Sequence, residues 1–453
     1  MSSPSNNAPE VQDLIVTVMV SMVNGATRFR HFNRLRGDTA TAELFGVGRF
    51  MTCDSVRRNF AFIPAEEVLP WVWRENLRLL QDVVAEDYVL DLDPTVKPPC
   101  GRQEGAEPGY SPQKPGRPSH CDHTLCIAKL RLTLAVVVHP GNETSGTHLR
   151  SMLSEYLAFV SAVRKPCLVR GDISFGNDSV ICDCEAADVR YLFKARRSKR
   201  VRGEFLSPLA EPGAWHGSSG GWQCAEREVR LDAWSRPRRM VFARRPVEAM
   251  PKRRKSPPTR KFTQLGIPGL ELVEASDGAY ADGYEWYALV TDLDMDARDV
   301  LPLYRGRGDC ENVFDEMKNQ WGWGGFTSHS LAQTALFAGL SVIAANLWNI
   351  FTRLGGDGTH REAATSRPLL QTCIARITRH ARQGIVTIYT ATGGKAREAY
   401  RAISAFLARV SSASQLTPEE RRQLIVAYAL RRYGLVRRLF PPLIGRQATL
   451  PLC

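Results

Sequence analysis

The stretch from His123 to Arg196 does most to limit the fold. HTLCIAKLRLTLAVVVH reads as two strands, THLRSMLSEYLAFVSAVRK as an amphipathic helix, KPCLVRGDIS as a strand, SVICDCEAADVR as a helix and RYLFKAR as a further strand. Elements alternating in this way bury their apolar faces by laying helices on a sheet, so the class is α/β with a mixed, layered sheet. Upstream, DYVLDLDPTV adds a short strand predicted to stop at its proline, with Asp91, Asp93 and Thr95 on one face.

Helical patterns flank this sheet. Residues 11 to 86 read as helices, and TATAELFGVGRFMTCDSVRRNF looks like helix, glycine turn and second helix, opened by Thr52 or Asp54. As a helix-turn-helix it places Arg57 and Arg58 toward DNA; an ordinary helical hairpin explains the pattern equally well. Residues 94 to 120 form a Pro/Gly/basic loop. Residues 198 to 284 change to a basic, Trp-containing, strand-like composition, and EWYALVTD then returns to the sheet. A long apolar helix covers 329 to 353, and the remainder is helical and Arg-rich apart from the strand-like GIVTIYTA. The expected domains are a helical DNA-binding region (1–86), the first part of an α/β domain (87–197), a β-rich insertion (198–284), the second part of the α/β domain (285–356) and a mainly helical C-terminal region (357–453). No repeat of fixed period occurs.

At 453 residues the chain exceeds one ordinary core, and 43 % apolar residues are ample for several. Sixty Lys plus Arg against 47 Asp plus Glu leave a formal charge of +13, which favours a polyanionic partner. Eleven cysteines lack the spacing of a secreted disulfide framework, and MSSPSNNAPEVQ lacks signal-peptide features, so a cytoplasmic location is expected. The run from Leu336 to Phe351 is shorter than the roughly 20 residues of a membrane span. It also contains Asn346 and Asn349, and it reads as a buried helix, with no membrane partner.

Acidic residues recur in comparable settings: Asp91 and Asp93 on the first strand, Asp172 at the end of another, and Glu311 within YRGRGDCENVFDEMK. On one continuous helix Tyr304, Arg307, Glu311 and Lys318 fall within roughly 60° of one another. Such a stripe suits a metal-binding carboxylate whose neighbours hold a phosphate, and carboxylates are the hard ligands Mg²⁺ requires.

Tyr304, Arg307, Glu311 and Lys318 fit Y-(2)-R-(3)-E-(6)-K. With YVLDLDPTV, GRQEGAEPGYSPQKPGRPSH, LVRGD, CEAADVRYLFKAR and DCENVFDEMKNQWGWGGFT, they make residues 30 to 390 resemble bacterial insertion-sequence transposases of the DDE type. The resemblance implies a ribonuclease-H-like catalytic domain interrupted by a β-rich insertion. It implies Asp93 (with Asp91 as fallback), Asp172 and Glu311 as catalytic metal ligands, Mg²⁺ (or Mn²⁺) as cofactor, and Tyr304, Arg307 and Lys318 as DNA contacts. Double-stranded DNA is the implied partner, as terminal inverted repeats and target, with a homodimer in the active complex. One departure is that Gly176 and Asn177 follow Ile173, Ser174 and Phe175, where a small residue and then an aromatic is commoner after the aspartate.

Trp286, on the returning strand, has two readings. Similar transposases stack such a tryptophan on a flipped base, an interaction of roughly 1 to 3 kcal/mol; the other reading is a core residue. Cys121, His123, Cys126, Cys182 and Cys184 lack paired C-x₂-C spacing and read as packing residues rather than zinc ligands. Basic runs Lys194 to Arg202 and Lys252 to Lys261 read as phosphate contacts. The rival function is a DNA-binding protein or repressor that keeps the fold without the chemistry. An RNA-binding protein is disfavoured by the absence of an aromatic RNP strand or a GXXG loop.

Overall fold

The computed structural model describes residues 10–412 except 81–87, 100, 110, 112–114, 144, 161–164, 208–212, 247–279, 282, 357, 381–382 and 391–393. The basic run Lys252 to Lys261 lies outside the described residues, as does the chain beyond 412. The described residues fall into two compact units: 10–167 together with 308–412, and 168–307.

The first unit opens with helices α1 (Val11–Val23), α2 (Thr39–Leu44), α3 (Cys53–Phe60) and α4 (Ala65–Leu80). The helix, turn, helix pattern is present, because both starts are capped: Asp38 accepts from Thr41 N at 2.9 Å and Thr52 from Ser55 N at 3.2 Å. Arg57 and Arg58 are exposed on α3, while Val56 and Phe60 turn inward.

Strands β1 (Val89–Lys97), β2 (Glu107–Pro108), β3 (Pro118–Ile127) and β4 (Leu132–Pro140) follow. β3 is the central member, antiparallel to β1, β2 and β4. β1 does not stop at Pro94, as the sequence suggested, but pairs through it to Lys97. Proline removes one ladder donor yet tolerates extended backbone, and Thr124 Oγ1 holds the preceding Asp93 carbonyl at 2.7 Å. Helix α5 (Ser145–Phe159) packs on β3 through buried residues that include Leu149, Leu153 and Tyr156.

The second unit starts with β5 (Leu168–Gly171), α6 (Asp178–Ala186) and β6 (Arg190–Lys194), a parallel strand, helix, strand module. Next come α7 (Lys199–Leu206), β7 (His216–Gly217), β8 (Gln223–Val229), β9 (Arg238–Pro246), β10 (Tyr280–Ala281), β11 (Tyr284–Thr291) and α8 (Ala297–Arg305). β11 pairs with β6 on one edge and β9 on the other, and β9 pairs with β8. The inserted strands therefore extend the β6–β11 ladder. Three antiparallel strands, a helix, and a parallel strand, helix, strand module give the chain order of a ribonuclease-H-like α/β fold, here with flanking helices.

One ion network steadies the second unit. The Arg238 side chain, 1 % exposed, reaches Asp178 at 2.6 Å and Glu185 at 3.0 Å. Burial works against both charged carboxyls, but Arg238 outweighs it and holds them below the usual range. Arg238→Met is expected to cost about 2 kcal/mol at neutral pH. Because the folded values are depressed, the contribution is full above the ordinary values of 3.8 and 4.5 and disappears as pH falls below them. Denaturation of wild type and variant at pH 7 and pH 3 checks this: the gap should narrow in acid.

The first unit resumes with α9 (Asp309–Gln320), α10 (Leu331–Leu354), α11 (Ala363–Gln371), the hairpin β12 (Ile374–His380) and β13 (Gln383–Tyr389), and α12 (Lys395–Ser412). α10 is long and apolar enough to cross a membrane, yet it packs against α1, α4 and β4. Phe337 joins Phe29, Phe60 and Phe326 in one aromatic cluster. Its asparagines grip backbone: Asn346 Nδ2 donates to Thr133 O (2.7 Å) and Asn76 Oδ1 (2.9 Å), and Asn349 Nδ2 to Leu130 O (3.0 Å) and Arg131 O (2.9 Å). These bonds explain how two amides sit in an apolar helix.

Candidate active site

Tyr304 to Lys318 is not one helix. α8 ends at Arg305, a 3-10 turn spans Gly306–Gly308, and α9 begins at Asp309. Two glycines in three residues weaken helix propagation. The turn is also tight, because a Cβ on Gly306 would lie 2.8 Å from Arg170 Nη1. The expected stripe thus becomes two pairs. Glu311 and Lys318 share a face of α9, and Tyr304 and Arg307 form the other pair.

In the first unit, β1 carries Asp91, Asp93 and Thr95 at alternate positions, beside Cys126, Thr124 and Asp122 of β3. Asp91 is 1 % exposed and Asp93 9 %. α9 packs on β1 and β3 through Cys310, whose Sγ lies 3.4 Å from Cys126 Sγ. The Cys310 thiol is held well above its usual value by its bond to Cys126 and by burial, with Asp91 and Asp93 adding to the effect. The first turn of α9, which carries the exposed Glu311, therefore begins beside the two aspartates. A carboxylate there is also favoured by the helix dipole.

Lys318 closes the far end of this half. Its Nζ donates to Thr95 Oγ1 at 2.6 Å and Val96 O at 2.9 Å, while Lys97 Nζ donates to Phe326 O at 3.3 Å. Asp122, fully buried, faces both ammonium groups. Burial lowers both lysines and raises the acid, and the attraction between Asp122 and each lysine works against it. Sequence reasoning missed Asp122 and Lys97; their signal was alternation, since both fall on the strand face that carries Asp93. Lys318→Met is expected to leave Asp122 with less compensation and to lower stability by about 1 to 2 kcal/mol, read as a lower urea midpoint.

In the second unit, Asp172 follows β5 in a turn where its Oδ1 accepts from Ser174 N at 2.9 Å. Gly171 makes room for the buried Phe175 ring, which a Cβ would meet at 2.5 Å. The unusual Gly176 and Asn177 also have local reasons: a Cβ on Gly176 would lie 2.5 Å from Lys194 O, and Asn177 caps α6 by accepting from Val180 N at 3.1 Å. Arg170 donates to Leu303 O and fixes the end of α8. Burial raises the Tyr304 phenol to about 12, Arg307 opposes that, and Asp172 reinforces it. The Arg307 guanidinium stands 6.0 Å from the Tyr304 ring. Asp172, Tyr304 and Arg307 therefore lie in one neighbourhood.

Trp286 is 1 % exposed, stacked on Phe205 at 4.5 Å, with Arg197 5.2 Å from its ring. Buried between Phe205 and Arg197, the ring matches the core reading rather than base stacking. Within the basic run, Lys194 lies over Tyr287 and Arg197 donates to Trp286 O, leaving Arg196, Lys199, Arg200 and Arg202 exposed. Cys121, Cys126, Cys182 and Cys184 are free thiols that form no zinc cluster among the described residues.

The family described as transposase DDE domain, group 1, matches residues 9–411. No curated protein matches. Among solved structures, the chain is similar to a piggyBac transposase in a synaptic complex with hairpin DNA, at 12 % identity and a TM-score of 0.41, over 94 % of this chain and 78 % of that one.

Proposed function

Because the chain belongs to the DDE transposase family, we propose that it binds the terminal inverted repeats of an insertion sequence, cuts the donor DNA and joins the freed 3′ end to target DNA. The acids are Asp93, Asp172 and Glu311, with Asp91 as the alternative first ligand. The observation that carries the reading is the pair of aspartates on one face of β1 beside the α9 turn that bears Glu311. Hard carboxylate oxygens without histidine or thiolate at these positions fit Mg²⁺, with Mn²⁺ as substitute. When bound, the divalent ions would activate the attacking oxygen and stabilise the leaving one.

The chain's own side chains do the rest. Arg307 neutralises phosphate charge beside the scissile bond, and Tyr304, kept protonated by burial, donates a hydrogen bond. Lys318, expected as a phosphate contact, instead holds Thr95 and Val96 beside Asp122; it braces the end of β1 and so positions the aspartates. Exposed Arg57 and Arg58 on α3 grip the DNA end. Removing one arginine–phosphate pairing should reduce the slope of log affinity against log salt by about 0.9. Arg57→Ala combined with Arg58→Ala should therefore weaken binding in low salt and flatten that slope, as measured by gel shift. The active form is a homodimer in the bacterial cytoplasm.

The test is to incubate the full chain with DNA carrying the inverted repeats that flank its gene. Nicks at the repeat ends in Mg²⁺, absent in EDTA, support the proposal. Binding without nicking in Mg²⁺ or Mn²⁺ would mark a repressor that has lost catalysis.

A further inference from the structure

A second cluster of ligating groups lies on the other face of the β1–β3–β4 ladder. Asp93 and Thr95 pair with Thr124 and Asp122, so the intervening His123 projects to the opposite side. It pairs with Val137, which makes His139 its diagonal neighbour on that side. His139 is the penultimate residue of β4, Glu143 sits in the following turn, and His148 comes from α5. His139 Nδ1 lies 3.5 Å from Glu143 Oε2, and His148 Nε2 contacts that same oxygen. One ligand atom from each of the three lies within 4.8 Å of the others. The rings of His139 and His148 stack with centroids 3.5 Å apart.

His123 completes the arrangement. It is fully buried, its ring is 5.4 Å from His139 and 5.3 Å from His148, and neither ring nitrogen has a hydrogen-bond partner. A buried imidazole with both nitrogens unpaired is costly unless something else occupies the space beside it.

We propose that His139, Glu143 and His148 bind one zinc-class divalent ion, with His123 hydrogen-bonded to a water in its fourth position. Two imidazoles and one carboxylate are a borderline donor set that selects Zn²⁺, Co²⁺ or Ni²⁺ over Mg²⁺, which needs oxygen ligands. The ion ties the turn after β4 to the start of α5. It is separate in place and in chemistry from the aspartates of β1, and it does not depend on the transposase reading.

The experiment uses the full chain, stripped with EDTA and titrated with Co²⁺, whose visible d–d bands report low-coordinate nitrogen and oxygen ligation. One equivalent should bind, the bands should vanish on adding Zn²⁺, and excess Mg²⁺ should leave them unchanged. Glu143→Gln, at an exposed position, should weaken Co²⁺ roughly 100-fold, and His139→Ala with His148→Ala should abolish the bands. His123→Ala, acting through the water, should weaken binding about 10- to 100-fold and shift the spectrum while stoichiometry stays at one. Asp93→Asn and Glu311→Gln should leave the titration untouched. Absence of bands in the wild type, meaning an imidazole–carboxylate cluster without metal, overturns the proposal, and so does a Glu143→Gln titration identical to wild type.

Discussion

Asp172→Ala and Glu311→Ala should each reduce Mg²⁺-dependent nicking of repeat-end DNA by on the order of 10³-fold or more, with DNA affinity changed only a few-fold. Losing one carboxylate removes a metal ligand and the charge stabilisation it organises, worth about 4 kcal/mol of barrier. Neither side chain supports the fold heavily: Glu311 is exposed, and Asp172 makes one turn hydrogen bond that asparagine can replace. Asp172→Asn is therefore the cleaner variant. A loss that persists in it separates chemistry from folding, while undiminished nicking in Glu311→Ala would remove the glutamate from the site. Comparing Asp91→Asn with Asp93→Asn decides the first acid. Asp91, at 1 % exposure, should also cost stability, whereas the less enclosed Asp93 should lose activity with a smaller change in folding.

The largest stability effect is expected at Asn346. Its side chain accepts from Thr133 N at 3.2 Å and donates to Thr133 O and to Asn76 Oδ1, while Asn76 Nδ2 donates to Thr133 O and Leu134 O. All of these groups are buried. Asn346→Leu keeps the volume but strands the Thr133 N–H and part of the Asn76 amide, at about 3 kcal/mol. Urea denaturation should show a lower midpoint with an unchanged slope. Asn76→Leu combined with Asn346→Leu should cost less than the sum of the single changes, since the second removes a partner that is already gone.

The strands and helices between Leu132 and Lys194 were legible because each carries its own period, 2 or 3.6, bounded by glycine, proline or a cap. Glu311 and Lys318 were legible as a pair because seven residues bring a helix back to the same face. What the pattern concealed was context. Nothing local in Pro94 says that a strand can pass through it, and the packing of Arg170 against the Gly306 turn comes from a residue more than 130 positions earlier. β12 was hidden because its isoleucines, Ile374 and Ile377, are three apart with arginines between and after them, so only its partner β13 looked like a strand. For Trp286 the sequence placed the residue on its strand and left a base-stacking and a core reading open; burial against Phe205 and Arg197, which are distant in sequence, is consistent with the core reading.

The amide clasp between Thr133 and Asn346 also sets a timetable for synthesis. Its partners are 213 residues apart, with residues 168–307 of the second unit encoded between them. At roughly 5 to 20 residues per second, a ribosome needs about 10 to 40 s to deliver α10 after β4 has emerged. During that interval the nascent β-ladder waits with its apolar side uncovered, a standing invitation to holding chaperones, and no translation product that stops short of α10 can complete it.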